Sequence, residues 1–300
     1  LRTFFFKLCN LQQAAVTPVF VFDGPGRPTM KRNKKVSQEP LSFTEPLKTL
    51  IKSFGFYFYE APGEAEAELA QLNKLGFIDA VITEDGDALV FGATRVIRTI
   101  GPLYLDEDGL LLIVLMAGGD YDQGIPKCGA KIAHALAKHG AGRDLRQILI
   151  SFAGVLRDQH LAAWRNGIRT ELQTNSSGFL TRCHPKLAED IPNSFPDMCV
   201  VDLYINPLTS WSPQFLGNPP DVLLWVPREP VIHEISTFCR EHLGWNTPDV
   251  LNKRFVSVLW PGVAFRMISS VRPLHALISP YLLTASCSDM SCTTVQLKPL

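Results

Sequence analysis

The chain has 300 residues and carries 29 basic and 29 acidic side chains, so its formal charge at pH 7 is zero and it lacks the overall basic excess common in nucleic-acid binders. A hydrophobic content of 46% suffices for a sizeable core of about one or two domains and excludes a disordered chain. The longest apolar run, Leu110 to Ala117, is far below the roughly 18 to 20 residues of a membrane span, and Lys7 cuts off Phe4-Phe-Phe6, so neither a membrane helix nor a signal peptide is expected.

In chain order, residues 1–13 predict a helix with apolar positions 1, 4, 5, 8 and 11. The chain starts inside this helix and without Met, which reads as a fragment or an incomplete gene model. Val19 to Phe22 predicts a strand, ended by Asp23-Gly-Pro-Gly26, and Leu47 to Phe54 a helix. Phe56 to Tyr59 is aromatic enough for a strand. Pro62-Gly63 and Gly76 bound a helix between them, Ala80 to Thr83 and Arg95 to Ile100 predict two more strands, and Leu110 to Ala117 a buried helix. Such alternation points to a parallel sheet covered by helices. A glycine-rich loop from Gly118 to Gly129 then leads into a helix from Ala130 to His139, and the pattern stays helical past Ser151. Residues 184–230 read as irregular and proline-rich, His233 to Leu243 and Val250 to Leu259 as a small helical unit, and residues 271–300 as a tail. The seven cysteines (9, 128, 183, 199, 239, 287 and 292) form no CxxC pair, so reduced thiols in an intracellular compartment are expected. No His or Cys pair at zinc spacing accompanies Cys287 and Cys292.

Six acids stand in or beside apolar or glycine-marked segments: Asp23, Glu64, Glu66, Asp85, Asp87 and Asp120. If the apolar runs are neighbouring parallel strands, their carboxyl ends open into one crevice where these acids converge. A pair of divalent cations is the economical explanation, since hard cations take several oxygen ligands and cancel the mutual repulsion. Glu64 and Glu66 would point about 200° apart on one helix, so both can serve only if Glu64 precedes the regular turns. Asp85 and Asp87 flank Gly86 and, on extended backbone, point to the same side; a surface turn explains them equally well. Glu68, Asp79 and Glu84 are set aside as solvated.

Five of the nine residues from Arg27 to Lys35 are basic (Arg27, Lys31, Arg32, Lys34 and Lys35), which suits either a solvated loop or a phosphate clamp. Lys127, Lys131, His134 and Lys138 share one helical face that is either an ordinary basic surface or a track for a phosphodiester backbone. The glycine loop before that helix offers backbone N–H groups to an anion. Acids on one side and bases on the other suit phosphodiester hydrolysis, in which two metals activate water and stabilise the leaving oxygen.

Taken together, Phe20-Val-Phe-Asp-Gly24, Ala61-Pro-Gly-Glu-Ala-Glu-Ala67, Thr83-Glu-Asp-Gly-Asp87 with Val90-Phe-Gly92, and Gly118-Gly-Asp-Tyr121 with Gly124-Ile-Pro-Lys-Cys-Gly129 resemble the XPG/flap endonuclease superfamily. Stretches such as Pro207-Leu-Thr-Ser-Trp-Ser-Pro213 and Gly244-Trp-Asn-Thr-Pro248 resemble most its fungal Holliday-junction-resolvase branch. The resemblance implies a PIN-like α/β nuclease core over residues 1–117, a helix-two-turn-helix DNA-binding region over 118–183, a connector over 184–230, a small helical unit over 231–270 and the tail. It implies two Mg2+ ions, replaceable by Mn2+, on the six acids, and a monovalent cation in the helix-two-turn-helix loop. Lys31, Arg32, Lys34 and Lys35 fall in a basic arch, and Gly124, Ile125, Gly129 and Lys131 in the element that grips duplex DNA. The implied protein is a nuclear, structure-selective endonuclease acting on 5′ flaps or four-way junctions, with homodimerisation on the latter and no membrane partner. The family's amino-terminal block, with a first strand and a further Asp, is not found ahead of Leu1, so a catalytically impaired DNA-binding fragment is the alternative. The segments from Asp23 to Glu64 and from Asp87 to Asp120 are also short, and Lys127 stands where glycine is common. A haloacid-dehalogenase-type phosphatase with Asp85 as nucleophile is a further reading, but Leu89 stands where its Thr is expected and the Glu64/Glu66 pair has no part in it.

Overall fold

Every residue of strand β1 (Val19–Phe22) is buried, and its side chains alternate between two cores. Val19 and Val21 enter one core, Phe20 and Phe22 the other, as a two-residue period dictates when helices cover both faces of a sheet. In this computed structural model, which describes residues 1–14, 16–31, 34–36, 42–98, 106–271 and 292–294, the phenylalanine side is closed by α1 (Arg2–Gln12), α2 (Thr44–Ser53), α11 (Ile232–Leu243), α12 (Pro248–Arg254) and α13 (Trp260–Val271). The valine side is closed by α3 (Ala65–Lys74), α5 (Glu107–Ala117), α6 (Ala130–His139), α7 (Ala141–Ser151), α8 (Gly154–Thr174), α9 (Pro185–Asp190) and α10 (Met198–Ile205).

The sheet runs β4 (Tyr57–Glu60), β1, β7 (Cys292–Thr294), β5 (Val81–Ile82), β6 (Val96–Ile97). β1 is parallel to β4, with Phe22 opposite Glu60, and β5 is parallel to β6. The α/β architecture expected from the alternation is therefore the one observed. β7 differs: a segment expected to be tail inserts antiparallel between β1 and β5, supplying backbone partners to two strand edges that would otherwise face each other unpaired. Of the expected strand at 95–100, Val96–Ile97 is seen, and residues 99 and 100 lie outside the described residues, as do Arg32 and Cys287.

Two further expectations change. The stretch 184–230 is not uniformly irregular: it carries α9, α10 and a 3-10 turn at Val222–Leu224. Leu187, Ile191, Phe195, Val201, Tyr204 and Trp225 from this stretch belong to the valine-side core. Proline does not prevent helix here, Pro185 being the first residue of its helix. Helix α5 begins at Glu107, ahead of the apolar run, because Asp106 caps it by accepting the Gly109 N–H at 2.8 Å.

Phe20 is fully buried, edge-on to Phe4 at 5.6 Å between ring centroids and packed against Phe56. Phe20→Ala is expected to lower unfolding free energy by about 3 to 5 kcal/mol, measured by urea denaturation. A loss below about 1 kcal/mol would mean that the phenylalanine-side core is not continuous.

Candidate metal and nucleic-acid site

Behind the carboxyl end of β1 the chain crosses the segment that leads into α3. Gly24 N–H donates to Gly63 O at 2.7 Å and Gly26 N–H to Pro62 O at 2.9 Å. A Cβ on Gly24 would lie 1.6 Å from Ala61 O, so only glycine permits the crossing. The crossing sets Asp23 against the start of α3, where one carboxylate oxygen accepts the Ala65 N–H at 2.9 Å and the other pairs with Arg27 at 3.1 Å. Glu64 is the extended residue just before the helix, with ψ 139°, and Glu66 lies in the first turn. The two glutamates thus occupy the positions their spacing required, and the positive end of the helix dipole favours negative charge there.

Lys31 joins this group to the far side of the site. It lies in β2 (Met30–Lys31), which pairs with β3 (Lys34–Lys35) in a small antiparallel hairpin. Its ammonium contacts the Glu64 carboxylate and pairs with Asp120 Oδ2 at 3.0 Å. Asp120 follows α5, and its N–H donates to the Tyr204 hydroxyl at 3.1 Å. Tyr204 packs against Tyr121 with ring centroids 4.6 Å apart, and the Tyr121 hydroxyl donates to Glu64. A Cβ on Gly119 would lie 2.4 Å from the Tyr204 oxygen, which accounts for the second glycine of the Gly118-Gly119 pair. Tyr204 carries no signal in the sequence, since it sits in an apolar helix 84 positions from the acid that it supports.

Asp85 and Asp87 close the cluster, though not on extended backbone. Asp87 opens the short helix α4 (Asp87–Val90), Gly86 is already helical, and Asp85 Oδ1 accepts the Asp87 N–H at 3.1 Å. The pair is thus gathered by a turn before a helix, the geometry that short acidic side chains favour. Burial, then Asp120 and Asp85, push the Asp87 pKa up to about 8. Glu64 is also raised, by burial first, with Lys31 opposing and Asp23 and Asp120 adding to it. Burial alone would depress Lys31, but Glu64 and Asp120 outweigh it and hold the ammonium above its ordinary value.

All six predicted acids therefore share one electrostatic neighbourhood that is short of positive charge. Hard oxygen donors around a gripped ammonium suit a divalent cation. As the side chains stand, no three His, Cys, Asp or Glu among the described residues are close enough to hold one ion. Between Glu64 and Asp120 the bridging cation is instead the Lys31 ammonium, which pairs with both.

The other expected residues divide. Lys34 and Lys35 are exposed on the hairpin, while Arg27 faces Asp23. Lys131 and Lys138 are exposed on α6, His134 is half-buried beside them, and Gly129 is the exposed residue before the helix. Lys127 is exposed at φ 68° and reaches Asp190 at 3.6 Å, so the chain adopts there the left-handed backbone that glycine would favour. Gly124 is left-handed at φ 70°. Ile125 does not face outward: its side chain is buried, its N–H donates to Met116 O and its carbonyl accepts from Cys128, so it anchors the loop. Glu68, expected to be solvated, is fully buried and accepts from Tyr59 and from the Ser210 N–H at 2.8 Å, tying α3 to the segment after α10. Among the described residues no helix is long and apolar enough to cross a membrane.

Residues 55–120 match the XPG I-region family. The chain is 27% identical over 215 residues to DNA excision repair protein ERCC-5 of Mus musculus, covering 66% of this chain and 17% of that protein. A solved structure of the Holliday junction-resolving enzyme GEN1 in complex with product DNA and Mg2+ is 34% identical, with TM-score 0.64, over 87% of this chain and 64% of that one. A eukaryotic junction-resolving enzyme GEN-1 binding with potassium is 32% identical, with TM-score 0.65, over the same shares. The chain thus spans less than two thirds of the length of each.

Because Asp87 takes up its proton more readily folded than unfolded, its contribution to stability is full below about pH 4 and is lost as pH rises through about 8. In urea titrations with a chelator present, wild type is expected to weaken across that window, and Asp87→Asn to lose much of the slope. Parallel pH profiles for the two proteins would contradict the buried, acid-crowded position of Asp87.

Proposed function

This chain belongs to the XPG/flap endonuclease superfamily, and from that membership we propose that it is a divalent-metal-dependent endonuclease that cuts branched DNA, at 5′ flaps or four-way junctions. One observation carries the reading: Glu64 and Asp120, from separate segments, pair with the one ammonium of Lys31, with Asp23 and the Asp85/Asp87 turn in their electrostatic neighbourhood, beside a hairpin with two exposed lysines. A phosphatase built on one aspartate nucleophile has no use for Glu64 and Asp120 paired across one cation with Asp23 beside them.

Asp23, Glu64, Glu66, Asp85, Asp87 and Asp120 would hold two Mg2+ ions, or Mn2+ in their place, whose charge activates water and stabilises the leaving oxygen in an in-line displacement at phosphorus. The chain's own residues do the positioning. Asp23 is fixed by the Ala65 N–H and Arg27, and Asp120 by Tyr204, so the two flanks of the site are braced before substrate arrives. Lys34 and Lys35 neutralise phosphates on the hairpin side, and Lys131 and Lys138 follow the backbone of the duplex arm along α6. A monovalent cation bound by the Gly118–Gly129 loop, homodimerisation on a four-way junction and a nuclear location belong to the same reading. GEN-1 binding with potassium supports the first of these.

Asp85→Asn is expected to lower Mg2+-dependent cleavage of a synthetic four-way junction or 5′ flap by at least about 100-fold, while gel-shift affinity in Ca2+ stays within about threefold. Undiminished cleavage by the variant would refute the ligand assignment. Lys131→Glu with Lys138→Glu is expected to weaken duplex binding regardless of sequence and to flatten the dependence of log affinity on log salt by about one to two. An unchanged salt slope would remove α6 from the DNA interface.

A further inference from the structure

Lys31 is the one lysine of its hairpin that turns inward. Lys34 and Lys35 are exposed, whereas the Lys31 side chain retains 27% of its accessible surface and inserts between a nearly buried Glu64 and Asp120. Its ammonium also lies 5.9 Å from the centre of the Tyr121 ring, whose hydroxyl bonds the same Glu64. A flexible, compact, strongly hydrated cation is held here by two carboxylates from opposite flanks of the acid cluster. A divalent ion seated on Glu64 and Asp120 and this ammonium cannot occupy the same space.

Resting on the metal site proposed above, we propose that Lys31 is a built-in counter-cation: it neutralises the acid cluster while no divalent ion is bound, and an entering ion displaces it. Two consequences follow from the connectivity. Metal affinity is lowered by the cost of expelling Lys31 from its two carboxylates. The displaced ammonium, carried on the same hairpin as Lys34 and Lys35, moves out to join them, so that ion entry adds a third positive charge to the face where phosphate would lie. Loading of the acids and charging of the hairpin thus become one event.

The test needs neither DNA nor turnover. The full chain, stripped with chelator, is titrated with Ca2+ and with Mn2+ by calorimetry as wild type, Lys31→Met and Lys31→Arg. Lys31→Met is expected to bind either ion at least about threefold more tightly than wild type, and to melt at a lower temperature before the ion is added but gain more on adding it. Lys31→Arg is expected to stay near wild type. Equal affinities for Lys31→Met and wild type would overturn the counter-cation role while leaving the metal site intact. No binding by any of the three would overturn the site itself, and this proposal with it. A second measurement uses wild type alone, so it does not depend on a variant folding: reductive methylation followed by mass spectrometry. Lys31 is expected to be protected relative to Lys34 and Lys35 in chelator and to become reactive in saturating Ca2+. Continued protection in Ca2+ would overturn the displacement.

Discussion

The close passage of the β1 exit over the β4–α3 connection is the constraint on which the site depends. Two backbone hydrogen bonds and a glycine with no room for a Cβ hold residues 23–26 against residues 61–65. Because Asp23 then accepts the Ala65 N–H, one contact both satisfies a helix-terminal donor and fixes a carboxylate beside Glu64. Widening this passage by even a methyl group would separate the two acids and leave the first turn of α3 with an unpaired N–H. Fold and site share the same few atoms here.

Charge balance is the second organising feature. Asp87 and Glu64 are both raised by burial and acidic neighbours, while Lys31 is held charged by the acids that surround it. Such a crowd of partly buried acids is costly, and the surrounding structure bears that cost. Much of the support comes from α10, whose Tyr204 braces the Asp120 backbone and packs against Tyr121. The same region of chain, through Ser210, satisfies the buried Glu68. A proline-rich stretch that reads as a connector therefore acts as a wall of the site, and α3 carries a buried structural glutamate, Glu68, one turn beyond Glu64.

How far the site could be read in advance follows from where each signal lies. The alternation of apolar runs and helix boundaries located β1, β4, β5, α3 and α5, because each is set by local periodicity and by Pro or Gly at its ends. Glu64 preceding the helix was legible from Pro62-Gly63 alone. Asp85 and Asp87 lie together not on the extended backbone expected of them but on the turn into α4. Glu68 reads as solvated because nothing local distinguishes a buried acid from an exposed one on a helix; its partners lie 9 and 142 positions away. Ile125 had the opposite fate, since its motif lies in a loop expected at DNA while its side chain fills the core beneath that loop.

By itself the sequence determined the α/β alternation, the identity and order of six acids, and the helix start that separates Glu64 from Glu66, all of which depend on neighbours a few residues apart. Only the tertiary structure decided that Lys31 turns into the cluster while Lys34 and Lys35 turn out, that Tyr204 supports Asp120, and that residues 292–294 complete the sheet between β1 and β5. Those outcomes depend on contacts between segments up to a few hundred positions apart, where a side chain's charge and size are known but its partner is not. A basic run and a tyrosine in an apolar helix look the same in sequence whether they face solvent, a core or a cation site; packing makes the choice.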